Sequence, residues 1–138
     1  MREGEIIKGV YVLVIDVRRD LRLRVGALGF MYFKRGVYAY VGSAQRDLRG
    51  RLRRHLSGEK KIFWHIDYLL NSKDVEVIEV FYREAKKSEG CRIAKSLIKT
   101  ESPISGFGCS GCSCRSHLFR IHNLDLLKFK MKRFKHQS

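Results

Sequence analysis

The sequence contains a single proline, Pro103, and it has no stretch rich in proline, glycine or serine that would separate two domains. It also lacks an internal repeat, and its 138 residues are enough to enclose one hydrophobic core. We therefore expect one domain over residues 1–122, followed by a short basic C-terminal tail over residues 123–138.

Long apolar runs are missing as well. None approaches the roughly 18 residues that a membrane-spanning helix needs, and the first nine residues, MREGEIIKG, lack the apolar segment of a signal peptide. We expect no membrane partner and a cytoplasmic location. In that compartment the four cysteines are expected to be free thiols or metal ligands and not disulfides.

Acidic residues are scarce, with 14 Asp and Glu against 29 Lys and Arg, so the formal net charge is +15. Residues 18–61 hold 13 basic side chains and three acidic ones, and residues 126–138 hold five basic side chains and no acid. A concentrated positive surface attracts the phosphates of nucleic acids, which we predict as the partner. The alternatives are a solvated, solubilising surface or the ion pairs of a heat-adapted protein.

Apolar periodicity predicts the secondary structure. Helices are expected at residues 46–56, 62–70 and 89–100, and strands at residues 8–17, 21–25, 30–33, 37–43, 75–82 and 116–121. The first four strands are interpreted as an antiparallel meander. This order of elements indicates an α/β fold in which a mainly antiparallel sheet is flanked by helices.

Two strands and one helix carry a distinctive set of residues. Gly9-Val10-Tyr11 begins the first strand, and Tyr40-Val41-Gly42 ends the fourth, followed by Ser43. The next helix holds Arg51 and His55 one turn apart. These segments resemble the signature of the GIY-YIG nuclease superfamily. The 28 residues between Tyr11 and Tyr40 would then contain an inserted pair of strands.

The resemblance implies hydrolysis of a nucleic-acid phosphodiester. Tyr11 would act on the attacking water as general base, and Tyr40 would position the water or the phosphate. Arg51 would stabilise the developing charge, and His55 matches a histidine that is common one turn later. Gly42 would allow close approach of the phosphate. Contacts to the nucleic-acid backbone are further expected from Ser43, Arg49, Arg53 and Arg54, and from Lys128, Lys130 and Lys132 in the tail. The tail could equally be a disordered solubilising end.

The resemblance also implies a divalent cofactor, Mg²⁺ or Mn²⁺, held by a glutamate on a later helix. Ala94 occupies the expected position, shortly before Leu97-Ile98-Lys99. Glu89 is the nearest upstream carboxylate and is the candidate ligand, with capping of the helix N-terminus as its alternative role. Asp67 is a second alternative ligand, and His65 is a further candidate phosphate contact.

A closer resemblance, covering roughly residues 9–119, is to an uncharacterised GIY-YIG-like domain family. Its members occur alone in archaea and appended to endonuclease III-type DNA glycosylases. This favours DNA over RNA and makes a DNA repair glycosylase a candidate partner. The main alternative is a noncatalytic DNA- or RNA-binding module. The matching segments are Gly9–Tyr11, Val41–Ala44, Arg51–His55, Trp64–Leu70 and Cys112–Phe119.

The four side chains of Cys109-x2-Cys112-x-Cys114-x2-His117 are of the types that ligate zinc. Cys112 and Cys114 would face opposite ways in a strand, so Cys91 or His122 could replace one ligand. The alternative is a turn containing small buried thiols. A further interpretation of the whole protein is therefore a zinc-stabilised interaction domain.

Overall fold

The computed structural model describes residues 7–58, 61–122 and 131–135. The three helices in these residues are α1 (Leu48–Leu56), α2 (His65–Leu70) and α3 (Lys87–Leu97). The strands are β1 (Gly9–Val17), β2 (Leu21–Arg24), β3 (Phe30–Phe33), β4 (Gly36–Ala44), β5 (Val75–Glu84), β6 (Ser102–Pro103), β7 (Leu118–Arg120) and β8 (Lys132–Arg133). No helix among these residues is long and apolar enough to span a membrane.

Six strands form one sheet in the order β6-β7-β4-β1-β5-β8, and every neighbouring pair is antiparallel. The long apolar strand β1 lies near the centre of the sheet, where it pairs with β4 and β5 along its whole length. A strand paired on both edges and covered on both faces is expected to be almost continuously apolar, as β1 is. The predicted α/β fold with a mainly antiparallel sheet is confirmed.

The inserted pair of strands is also confirmed, but the predicted meander is wrong. Strands β2 and β3 pair only with each other, in a separate two-stranded sheet, and a 3₁₀ turn over Gly26–Leu28 connects them. Consequently β1 pairs directly with β4, with Gly9 opposite Ala44 and Val17 opposite Gly36. The inserted segment contributes Leu21 and Phe33 from its strands and Val25 from the turn between them to the core, which holds the segment against the main sheet.

Each face of the main sheet is covered by different elements. Alternate residues of β1 point to opposite faces, so Leu13 and Ile15 pack with α1, α2 and the inserted strands. Val12 and Val14 pack with α3 on the other face. The predicted stripe on α1 is present, with Leu48 and Leu52 buried and Leu56 partly buried against the same cluster.

Side chains set several element ends differently from the sequence prediction. Helix α1 begins at Leu48 because the Asp47 carboxylate caps it, accepting a hydrogen bond from the Gly50 amide at 3.1 Å. Strand β7 begins at Leu118 because the Ser116 hydroxyl binds the backbone at Ile104 and Leu118. Part of the predicted tail lies on the sheet, since β8 pairs with β5.

Candidate functional site

A cleft of about 330 Å³ opens beside the end of β4, bounded by α1, α3 and the loop that precedes β7. Two glycines shape it: Gly42 on β4 and Gly90 on α3 face each other, and a Cβ atom on Gly90 would lie 4.0 Å from the Gly42 carbonyl oxygen. The cleft is lined by aromatic, cationic and thiol side chains, among them Tyr11, Tyr40, Arg51, Phe63, Trp64, His65, Lys87, Cys91, Cys112 and His117.

Tyr11 reaches the cleft from β1 and is hydrogen-bonded to His55 behind it. The Tyr11 hydroxyl lies 2.7 Å from Nε2 of His55, and both side chains are almost completely buried. Burial raises the pKa of Tyr11 to about 12, although the neighbouring Arg51 guanidinium acts in the opposite direction. The hydroxyl therefore keeps its proton at neutral pH and can donate it to Nε2 of an unprotonated His55.

Gly42 leaves room for the Tyr11 ring. The two residues are direct partners across β1 and β4, and a Cβ atom at position 42 would clash with the ring, only 2.2 Å from Cζ of Tyr11. Packing of this ring is by itself a sufficient reason for glycine here. Tyr40 lies next to Tyr11 with 6.4 Å between ring centroids, and burial raises the pKa of Tyr40 above its usual value.

Arg51 is anchored beside the two tyrosines. Its Nη1 donates a hydrogen bond to the Ser43 carbonyl oxygen at 3.1 Å, and its guanidinium lies 4.2 Å from the Trp64 ring centroid. A guanidinium has five N–H donors, so this anchoring uses only part of its capacity for binding an anion. The structure thus brings together Tyr11, Tyr40, Arg51 and His55, which the sequence predicted as one site.

Arg54, a predicted phosphate ligand, is committed to a buried ion pair. Its Nη1 and Nη2 donate to the two carboxylate oxygens of Asp67 at 3.0 and 2.9 Å, and the Asp67 side chain is completely buried. Asp67 also accepts hydrogen bonds from the backbone amides of Phe63 and Trp64, each at 2.9 Å. This carboxylate therefore organises the start of α2 and does not face the cleft.

The remaining predicted phosphate ligands are dispersed. Arg49 and Arg53 lie on α1 but are not among the cleft-lining residues of the described chain. Lys132 is exposed on β8, and Lys128 and Lys130 lie outside the described residues. Ser43 lines the cleft, and so does His65, whose Nδ1 accepts a hydrogen bond from the Gly108 amide at 2.9 Å.

Glu89, the candidate ligand for Mg²⁺ or Mn²⁺, is occupied elsewhere. Its two oxygens accept hydrogen bonds from Arg83 at 2.7 Å and from Arg92 at 3.2 Å. Ala94 is buried between α3 and the sheet. Over residues 7–58, 61–122 and 131–135 no carboxylate lines the cleft, and hard divalent cations prefer carboxylate oxygens. The described residues that line this cleft therefore do not fit a side-chain site for Mg²⁺ or Mn²⁺ there.

A different group of potential metal ligands lies at the wall of the same cleft. Cys91 from α3 meets Cys112, Cys114 and His117 from the loop before β7, and their ligand atoms all lie within 4.8 Å of one another. Nε2 of His117 is 3.2 Å from Sγ of Cys112 and 3.9 Å from Sγ of Cys91. Three cysteines and one histidine are a common zinc set, so this group can hold a metal ion such as zinc.

This group differs from the predicted zinc set in one member. Cys91 takes the place of Cys109, as one of the alternatives left open by the sequence. Cys109 is not a member of this group; its thiol donates to the Phe107 carbonyl oxygen at 3.4 Å, and burial raises the pKa of the thiol to about 11. Residues 109–117 form turns and irregular structure, so Cys112 and Cys114 can turn toward the same side.

Comparison with known proteins assigns the chain to a family. A family model described as "Domain of unknown function DUF123" matches residues 10–138. The chain belongs to the DUF123 family. No curated protein and no solved structure matches it. The relation to GIY-YIG nucleases therefore stays a prediction, which depends on the cleft residues described above.

Sequence reasoning missed several residues that line the cleft of this DUF123 domain, among them Lys87 and Phe63. Lys87 is the first residue of α3, where a positive charge opposes the helix dipole; such a local conflict is a signal of function. Phe63 is 76% exposed at the cleft and packs edge-on against Trp64 with 5.0 Å between centroids. An exposed aromatic beside cationic side chains is typical of surfaces that stack on nucleic-acid bases.

Proposed function

We propose that this DUF123 domain binds a nucleic acid and hydrolyses a phosphodiester placed in the cleft, as a GIY-YIG-type endonuclease. The observation that carries the proposal is the buried Tyr11–His55 hydrogen bond beside the anchored Arg51, in a concave site that also contains Tyr40. DNA is favoured over RNA because the resembling domains occur fused to DNA glycosylases. A repair glycosylase is the corresponding protein partner.

The hydrogen bond gives Tyr11 a way to act as a base without ionising in advance. Its pKa of about 12 keeps the phenol protonated, so a free phenolate would be rare at neutral pH. A phenol that donates its proton to His55 while accepting one from the attacking water avoids that state. Arg51 would neutralise the charge that develops on the phosphoryl oxygens.

Binding depends on a wider surface than the cleft. The net charge of +15 supports attraction to the nucleic-acid backbone, and the affinity should fall with added salt because bound counterions are released. Lys87 and Arg51 are the cations that line the cleft within the described chain, so we assign the scissile phosphate to the space between them. Phe63 would stack on a neighbouring base.

One observation favours a second function, nucleic-acid binding without cleavage. The described cleft has no carboxylate, and Ala94 stands where the resembling nucleases carry their metal-binding glutamate. We therefore assign no step to Mg²⁺ or Mn²⁺. A domain that retained the cationic cleft without turnover could guide a DNA repair glycosylase to its substrate.

The test is cleavage of labelled single-stranded, duplex, flap, abasic and junction DNA, and of RNA, with Mg²⁺, Mn²⁺ or EDTA. Tyr11→Phe should slow cleavage by roughly 10²–10⁴-fold, and Arg51→Ala by roughly 10²–10³-fold. Arg19→Ala is the charge-matched control. Arg19 is an exposed arginine in the turn after β1, where it pairs with Asp74 and does not line the cleft.

The outcomes separate the two functions. Cleavage that is lost in both cleft variants and kept in Arg19→Ala supports the nuclease. Salt-sensitive binding without cleavage in any metal condition supports the binding module. A wild-type protein that binds none of these nucleic acids would refute both.

A further inference from the structure

We propose that Cys91, Cys112, Cys114 and His117 bind one zinc ion in a closed, four-coordinate structural site. Zinc bonds of about 2.3 Å to sulfur and about 2.0–2.1 Å to nitrogen place tetrahedral ligand atoms about 3.5–3.8 Å apart. The distances from Nε2 of His117 to Cys112 and Cys91 are 3.2 and 3.9 Å, on either side of that range. Small side-chain movements would complete the tetrahedron.

The histidine is already oriented for this role. Nδ1 of His117 lies 3.1 Å from the Val41 carbonyl oxygen, and because a carbonyl can only accept, Nδ1 carries the proton. The lone pair is then on Nε2, the nitrogen that faces the thiols. In zinc-binding histidines, the ring nitrogen that does not bind the metal usually donates a hydrogen bond to a group such as a backbone carbonyl. This contact is independent of the convergence of the cysteines.

The site would cross-link the loop before β7 to helix α3, which is distant from it in sequence. The loop before β7 has no long element, and it contains Gly106 and Gly108 with φ of 79° and 75°. Zinc would fasten this loop to α3 through Cys91 and to β4 through the His117–Val41 contact. Because four protein ligands leave no open coordination position, we assign the ion a structural role and not a catalytic one.

The same ion would fix two walls of the cleft. Lys87 and Gly90 line it from α3, the helix of Cys91, while Gly108 and Gly111 line it from the loop that supplies Cys112 and Cys114. The inference does not rest on nuclease activity, since metal content and metal spectra are measured without substrate. The proposed zinc site does not include Cys109, which a local Cys109-x2-Cys112 motif would include. Cys109→Ser is therefore the control variant.

The experiment measures zinc by mass spectrometry of the full chain, purified after expression with added Zn²⁺ and dialysed against EDTA to remove surface-bound ions. Wild type and Cys109→Ser should each retain about one zinc per chain, and Cys91→Ser should retain almost none. Cys91→His should recover zinc, because a Cys2His2 set is also a stable zinc site. Loss of zinc in Cys109→Ser but not in Cys91→Ser would overturn the assignment.

Cobalt provides a test that does not require a folded Cys91→Ser variant. Co²⁺ added to metal-free wild-type protein should give intense visible bands of tetrahedral cobalt and a near-ultraviolet thiolate charge-transfer band. Zn²⁺ should then displace the cobalt and remove these bands. Weak octahedral bands, or a disulfide between any two of Cys91, Cys112 and Cys114 in the purified protein, would show that the site is not a structural zinc centre.

Discussion

Removing the Arg54 side chain should destabilise this protein far more than removing an exposed arginine. Arg54→Ala eliminates both hydrogen bonds from Arg54 to the Asp67 carboxylate, which has zero exposure; within the part of the chain that the structure describes, its other donors are two peptide N–H groups. Breaking a buried ion pair from one side costs about 3–5 kcal/mol of the free energy of unfolding. The exposed pair Arg19–Asp74 should contribute at most about 1 kcal/mol, so Arg19→Ala is the control.

The effect of Arg54→Ala should depend on pH. Burial raises the pKa of Asp67, but hydrogen bonds from Arg54, Trp64 and Phe63 outweigh it and hold the pKa below its usual value. A lowered pKa stabilises the fold above the unfolded-state pKa of about 3.9, and that stabilisation is lost as the pH falls through the folded-state value. The difference between wild type and Arg54→Ala should therefore be largest near neutral pH and shrink in acid.

Urea denaturation followed by tryptophan fluorescence measures both effects. Trp64 is the single tryptophan, and it lies under Arg51 and Arg54, so its emission reports this region. Two-state transitions with equal m-values would give the free-energy difference from the midpoints. If Arg54→Ala lost no more stability than Arg19→Ala at neutral pH, Asp67 would be solvated and the reasoning would be refuted.

Two further substitutions test the cleft itself. Gly42→Ala should cost about 1–3 kcal/mol or more in thermal unfolding, because the new methyl group would displace the buried Tyr11 ring; an unchanged melting temperature would show that the ring moves freely. Phe63→Ala should leave the unfolding free energy within about 0.5 kcal/mol of wild type, yet weaken binding of a single-stranded oligonucleotide by about 1–3 kcal/mol, as expected for one lost base stack. Fluorescence anisotropy measures the latter, and equal affinities would exclude Phe63 from the binding surface.

Local patterns predicted the elements of the fold better than their pairing. The apolar, β-branched composition of β1 and the leucine spacing of α1 are local signals, and both elements were located to within two residues. The pairing of β1 with β4 was missed, because antiparallel neighbours in sequence are the simplest expectation. The choice is made by tertiary contacts, since the inserted strands bury Leu21 and Phe33 against the sheet.

The candidate site shows the same limit. Tyr11, Tyr40 and Arg51 were predicted as one site because their segments resemble the GIY-YIG signature, and the structure places all three around one cleft. Cys91 belongs to the metal group because α3 packs beside a loop that lies more than twenty residues further along the chain. The spacing of cysteines in the sequence does not predict that contact. The commitment of Arg54 similarly depends on Asp67, thirteen residues further along the chain.

The overlap of Tyr11 with Gly42 also constrains how this sequence can change in evolution. Because the ring occupies the space of a side chain at position 42, a larger residue there lowers stability for as long as a lineage retains the tyrosine. The route that avoids this overlap replaces the tyrosine first and the glycine afterwards. Homologues with alanine or serine at position 42 should therefore be those that have lost the tyrosine at position 11. Conversely, homologues that retain the tyrosine should also retain glycine at position 42.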